Sequence, residues 1–322
     1  MTKGRDEGRA VVGIVGLGDM GQLMGLALQR VKGDYEVVGH DPDADLVKAA
    51  RRGQAVDRTH WNLIAVAEES DLLILTEPLE ETLATLAAVA PHLKNGCVVT
   101  DTLPAKQAVI AQADEVLPPH ASFVGGHPVL RQASTAPEAG ALVGVPYCLV
   151  PSPRASEAAL EVVAGFVAAV GAEPFFIDAA EHDTLNIGVG ILPYLASAAL
   201  LRLVAASPSV RDLRRLAGLG MHHAAQATDE GDTYRAAIRS RPEYLAPWLD
   251  GLIAHLTDLR AAVAAHDAGA IDGFFEATEA ARGAWAEAGK GDAVEAQAAF
   301  EELKKGNLVM DTLFGRRRRR KG

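Results

Sequence analysis

The sequence predicts an α/β fold: a doubly wound N-terminal sheet domain followed by an all-helical C-terminal domain. Short apolar runs of four to six residues recur through the first half with helix-like segments between them, and they stop after Phe176-Ile177-Asp178. From 180 to 313 only long helical stretches follow. Runs so short and so apolar suit strands covered on both faces of a parallel sheet. At 322 residues the chain exceeds what one core holds, so a boundary near Asp178 separates residues 1–178 from 179–314.

Each element follows from its pattern. Residues 10–15 read as a strand ending in a glycine turn, and 22–31 continue with helical periodicity. Residues 35–39 read as a second strand, after which Asp41-Pro42 turns the chain into a helix ending near Arg52. Further strand-like runs fall at 63–66, 71–75, 97–100, 122–125, 147–150 and 174–177. Residues 185–205 form a helix apolar on nearly all sides, interrupted by Asn186, Pro193 and Arg202. Such a helix belongs at the centre of a helical domain or in a dimer interface rather than across a membrane.

The formal charge is -11, and taking the six positive charges of residues 316–321 away leaves -17 on the body. So acidic a body excludes nucleic acid as the main partner. The Arg-Lys run itself, in residues 315–322, reads as a solvated, disordered tail. Cys97 and Cys148 sit in apolar runs with no second Cys or His at metal-ligand spacing, so both read as small core residues of a reduced compartment and no metal is expected. The first ten residues carry charges and no long apolar stretch, which predicts a cytoplasmic protein without a membrane anchor.

The chemistry begins at Gly16-Leu17-Gly18-Asp19-Met20-Gly21. A glycine pattern of this kind is weak alone, but here it follows a strand, opens a helix and precedes an acidic residue, Asp41, at the end of the next strand. That is the context of a Rossmann dinucleotide site. Gly16 permits the turn, Gly18 lets backbone approach a pyrophosphate, and Gly21 lets helix and strand pack, while the helix N-terminus attracts the anion. Asp41 would accept from ribose hydroxyls and repel a 2'-phosphate, favouring NAD. Arg51 and Arg52 on the following helix leave NADP open.

Together with that turn, five further segments resemble the prephenate and arogenate dehydrogenases. They are Asp71-Leu72-Leu73-Ile74-Leu75, Val98-Val99-Thr100-Asp101 with Lys106, Phe123-Val124-Gly125-Gly126-His127-Pro128, Glu181-His182-Asp183 and Leu192-Pro193. The resemblance runs from about Val11 to Leu201. It implies hydride transfer from a cyclohexadienol ring to NAD(P), with the ring carboxylate leaving as carbon dioxide, in a homodimer joined through the helical domain. It implies His127 as catalytic base, Asp101 beside the cofactor, and Lys106, Tyr194 and Gln226 toward the small-molecule substrate. His182 and Asp183 read as structural, orienting the start of their helix against the sheet.

Three departures from the family pattern involve four residues. Pro104 stands where the family has a serine and can donate nothing; Ile191 and Tyr194 flank Leu-Pro where bacterial members often carry histidines. Gln226 stands where an arginine would bind the substrate's side-chain carboxylate, and a neutral amide is a poor partner for that anion. Two other readings stay open. The glycine turn is shared with β-hydroxyacid dehydrogenases, whose lysine donor has no counterpart between Lys106 and Lys290, and with imine reductases, which dispense with it. A dinucleotide-binding protein without turnover is the other, and it has no evident need of His127.

Overall fold

A computed structural model of the chain describes residues 9–130, 137–228, 234–235, 238–239 and 242–305, the last sixteen of these by backbone alone. The basic run expected to be a tail lies outside the described residues. The chain divides into two compact units, one made of the residues up to Asp183 with those from Ala299 on, and a second spanning Thr184–Ala298.

The first unit is built on an eight-stranded sheet in the order β3-β2-β1-β4-β5-β6-β7-β8. Its strands are β1 (Ala10–Val15), β2 (Tyr35–His40), β3 (Arg58–Thr59), β4 (Leu72–Leu75), β5 (Val98–Asp101), β6 (Ser122–Pro128), β7 (Pro146–Pro151) and β8 (Glu173–Phe176). All of β4 and β5 is buried, as strands covered on both faces must be. On one face Val12 and Ile14 pack with Met24 and Leu28 of α1 (Asp19–Arg30) and with Val163, Phe166 and Val167 of α6 (Glu157–Ala169). On the other, Gly13 turns toward α3 (Leu63–Glu69), where an added Cβ would stand 2.9 Å from Val66 and 2.1 Å from Ser70 Oγ.

Three details differ from the sequence reading. Residues 63–66, read as a strand, open α3, because the Asn62 side chain accepts from Ile64 N (3.0 Å) and caps the helix. A four-residue apolar run has too few periods to distinguish the two structures. The two-residue edge strand β3 went unread; Arg58 holds it through Glu36 and Glu69. The sheet is also not wholly parallel, since β7 runs antiparallel to β6 and sets Cys148 opposite His127.

Strand order reverses between β1 and β4, the place where open α/β sheets bind ligands. Gly16 takes φ +89° there, its carbonyl accepting from Thr76 Oγ1 (2.7 Å) at the end of β4. A Cβ on Gly21 would stand 1.9 Å from Gly16 O, whereas one on Gly18 would meet nothing within 4 Å. The first glycine is thus required by the turn, the third by packing, and the second by nothing within the protein.

The described elements of the second unit are all helical. Ile187–Ile191 forms a π-helical turn leading into α8 (Leu192–Ala205). Gly188 faces the Trp248 ring, 2.8 Å from an added Cβ, and Gly190 faces Asn186 Oδ1 at 2.5 Å. Ile187 and Ile191 form a small core with Leu245, so Ile191 is occupied in packing. The stretch Ala179–Ala205 is long and apolar enough to cross a membrane by length and composition, with mean hydropathy 1.8 over its most apolar window, yet only 11% of that window is buried. Ile187 and Ile191 pack inside the second unit, while most of the rest of the stretch is uncovered.

Gly21→Ala should destabilise the fold by about 1–3 kcal/mol or more in urea unfolding, as overpacking against fixed backbone does. Gly18→Ala should melt within about 0.5 kcal/mol of the parent; equal losses for the two would contradict the division of roles.

Candidate functional site

The site lies at the carboxyl ends of β1, β4, β5 and β6. At β1, Gly18 caps α1 with no side-chain hydrogen bond, so the first N–H groups of the helix have no side-chain acceptor at their cap. An open backbone approach, a bare helix N-terminus and a left-handed Gly16 together fit an anionic diphosphate. Asp41 binds the same turn from β2, its Oδ2 accepting from Leu17 N (2.7 Å) and its Oδ1 from Asp43 N (2.7 Å). Leu17 was expected to touch the cofactor, and here the structure corrects the sequence. Its side chain is fully buried, its N–H is taken by Asp41, and its carbonyl accepts from Gln22 Nε2. Asp19 is exposed and Met20 half-buried at the start of α1.

At the end of β5, Asp101 and Lys106 have no solvent exposure and form an ion pair with each other. Lys106 Nζ also donates to Gly126 O (2.7 Å), while Asp101 Oδ1 accepts from Gly126 N (3.0 Å) and Oδ2 from Leu103 N (3.1 Å). Both ends of the Gly126 residue are thereby held by one buried pair, immediately before His127. Gly126 has no room for a side chain, since a Cβ would stand 2.5 Å from Asp101 O. Burial lowers the Lys106 pKa, and the Asp101 charge opposes that shift. Two expectations are corrected here. Lys106 has no surface to offer a substrate and Asp101 none to offer a cofactor; they act on the backbone that carries His127.

His127 is itself tied to the start of α7 (Ala179–Asn186). Its Nδ1 lies 2.9 Å from His182 Nε2, and His182 Nδ1 lies 2.9 Å from Asp183 Oδ1. The two imidazoles meet edge to face at 79°. Asp183 accepts in addition from Lys106 N (2.8 Å) and Gln107 N (3.0 Å), capping α5 (Lys106–Val116) from another element. Burial alone would raise the Asp183 pKa, but its hydrogen bonds from His182, Gln107 N and Lys106 N outweigh burial and lower it. The carboxylate is therefore ionised and can only accept.

That charge settles the protons along the chain. A singly protonated His182 places its proton on Nδ1 toward Asp183, which leaves Nε2 an acceptor; His127 then carries its proton on Nδ1, which leaves its Nε2 bare. Burial first, then His182 and Lys106, hold the His127 pKa well below 6.5, so the ring is neutral at neutral pH. The result is an oriented base of the kind a carboxylate and imidazole make together. Sequence reasoning placed His182 and Asp183 at the start of their own helix, but missed the cap of Asp183 on α5 and the contact of His182 with His127. The adjacent His-Asp pair was the available signal. Tyr194 and Gln226 lie in the second unit, Tyr194 half-buried with its ring 5.3 Å from Tyr234, and Gln226 exposed at the end of α10 (Leu219–Gln226).

A family model described as prephenate dehydrogenase, nucleotide-binding domain, matches residues 24–175. The chain is 25% identical over 282 residues to the prephenate dehydrogenase of Lactococcus lactis, covering 82% of this chain and 74% of that protein. Over these spans the chain is similar to the prephenate dehydrogenases. Its identity to the cyclohexadienyl dehydrogenase of Zymomonas mobilis is 25% over 277 residues, spanning 84% of this chain and 94% of the relative. Among solved structures, the prephenate dehydrogenase of A. aeolicus, in complex with hydroxyphenyl propionate and NAD+, superposes with a TM-score of 0.75 at 19% identity. It covers 86% of this chain and 99% of the other, so the fold is shared across nearly the whole of that structure.

Lys106→Met would leave the Asp101 carboxylate buried and unpaired, and should cost about 3–5 kcal/mol in urea unfolding. Adding Asp101→Asn should recover part of that loss by removing the stranded charge. A single variant as stable as the parent would contradict the clamp on Gly126.

Proposed function

We propose that this chain is an NAD-dependent dehydrogenase acting on a cyclohexadienol, with His127 as the base. The observation that carries the reading is the hydrogen-bonded chain Asp183, His182, His127, which leaves His127 Nε2 unprotonated at the end of β6. A bound nicotinamide supplies the hydride acceptor. The N–H groups at the start of α1 receive the pyrophosphate, and Asp41, with lone pairs left after holding Leu17 and Asp43, receives the adenosine ribose.

His127 Nε2 takes the proton of the ring hydroxyl as a hydride leaves the same carbon, forming the ring carbonyl. The bond from the ring to its carboxylate then breaks, carbon dioxide departs, and the electron pair completes the aromatic ring. The imidazolium that forms on His127 shares its charge through His182 toward Asp183, which lowers the cost of charging a buried ring. Lys106 and Asp101 contribute by holding Gly126, so the imidazole arrives without paying to be oriented at each turnover.

The pocket differs from the family's. Pro104 offers no donor where a serine stands in relatives, and Gln226 is neutral where an arginine binds a carboxylate. The substrate we infer therefore keeps the ring hydroxyl and ring carboxylate but has a side chain that needs no guanidinium. The exposed apolar faces of the helical unit, among them Val189, Leu203, Leu216 and Leu219, support a homodimer in which a second copy covers them. The acidic composition supports a cytoplasmic protein with a small-molecule substrate and no nucleic-acid partner.

His127→Asn should lower kcat at least 100-fold, a typical worth of a general base, while calorimetry shows NAD affinity nearly unchanged. The base works only when neutral, so activity falls as pH drops through its pKa. Because that pKa is held below 6.5, the acid limb of kcat/KM should lie below pH 6.5. Full turnover in the variant, or an acid limb above 6.5, would place the base elsewhere.

A further inference from the structure

Cys148 is the group the reaction leaves unused, and the sheet puts it beside the two histidines. It lies on β7 directly across from His127 in the antiparallel ladder, so both side chains leave the same face. One ligating atom from each of His127, Cys148 and His182 falls within 4.8 Å of the others. No sequence spacing announces this group, because its members come from β6, β7 and α7 and lie 21 and 34 residues apart along the chain. It is the one group of three such residues among the described residues.

We propose that His127, His182 and Cys148 form a binding site for a thiophilic divalent cation, zinc being the type, and that its occupation switches off the base. Tetrahedral zinc with bonds of about 2.05 Å to nitrogen and about 2.3 Å to sulfur sets its ligands about 3.3 Å (N to N) and about 3.6 Å (N to S) apart. His127 Nδ1 and His182 Nε2, now 2.9 Å apart, need open by only about 0.4 Å, and Cys148 Sγ has a nitrogen of each imidazole within 4.8 Å, about 1.2 Å or less beyond the bonded spacing. Rotations of side chains cover both. His182 is already prepared as a ligand, since Asp183 fixes its proton on Nδ1 and leaves Nε2 a lone pair; carboxylate behind histidine is the usual support of a metal-bound imidazole.

The charges close as well. Zinc forms a bond to Cys148 Sγ, the thiol proton leaves to solvent, and the remaining single positive charge faces the Asp183 carboxylate. The Asp101 and Lys106 pair behind it is neutral overall. Half-buried His127 keeps one side of the site accessible, which leaves a fourth position for water. Such an open three-ligand set suits a cation that comes and goes.

Loss of catalysis follows from the tautomer. A cation on His127 Nδ1 displaces the proton that His127 donates to His182, and a neutral imidazole must then carry it on Nε2. That nitrogen is the one that receives the substrate's proton, so the metal-bound protein has a donor where it needs an acceptor. The inference concerns ligand binding and stands whether or not the proposed reaction is correct.

The test is titration of the full-length, chelator-treated protein with zinc chloride by calorimetry, and with cobalt(II) chloride followed by its absorption spectrum. One equivalent of cobalt should produce a thiolate-to-metal charge-transfer band with the intense visible bands of tetrahedral coordination. Cys148→Ala should abolish the charge-transfer band and weaken zinc at least tenfold, as loss of even an outer-shell partner does, while Cys97→Ala keeps both. Should Cys148→Ala fail to fold, the parent and Cys97→Ala spectra decide the matter. A pale octahedral spectrum in the parent, or a zinc affinity that Cys148→Ala leaves unchanged, would overturn the site. Neither reading depends on turnover.

Discussion

A lysine ammonium without solvent contact governs the carboxyl end of this sheet. Burying a charge costs several kcal/mol unless it is paired and fully hydrogen-bonded, and Lys106 meets both conditions at once through Asp101 and the Gly126 carbonyl. Once that pair exists, the last turn of β5, the first turn of α5 and the Gly-Gly step of β6 can no longer move independently. Asp183 adds a second clamp by capping α5 at Lys106 N and Gln107 N. The same carboxylate anchors His182, so the groups that stabilise the first turn of a helix also dictate where protons sit on two imidazoles.

This economy explains why polar residues appear so deep. Asp101, Lys106 and His182 are all buried in a unit whose core is mostly apolar. A sheet of this kind could be closed more stably with apolar side chains at such positions, because replacing a buried ion pair by packing is often neutral or favourable. Their presence instead fixes one geometry, with His127 at the point where the strands end. At the opposite flank of the site, the glycine turn works by the removal of side chains: Gly21 for the contact with Gly16 O, Gly18 for access from outside.

Much of this was legible in the amino acids. The strand, glycine turn and helix at residues 10–30 were readable because each local signal agrees with the next, and the loss of strand-like runs after Asp178 marked the change to helices. The helix at 63–69 was misread because a short apolar run carries no period, and the reversal of β7 left no mark in composition. Lys106 and Asp101 were recognised as belonging near the site but assigned to the wrong partners. Sequence shows that charges lie close along the chain, whereas only the fold shows that they face each other and the Gly126 backbone. The neighbourhood of Cys148 is the extreme case, created entirely by which strand pairs with which.

The account stands on the direction of the hydrogen bonds from Asp183 to His127. Nitrogen-15 NMR of the histidine-labelled, metal-free protein, with His127→Asn to assign the resonances, reads that direction at each ring nitrogen. At neutral pH, His127 should be neutral with its proton on Nδ1 and a bare Nε2, and His182 should carry a proton on Nδ1. A His127 protonated on Nε2, or charged at neutral pH, would contradict the arrangement from which its role as a base was derived.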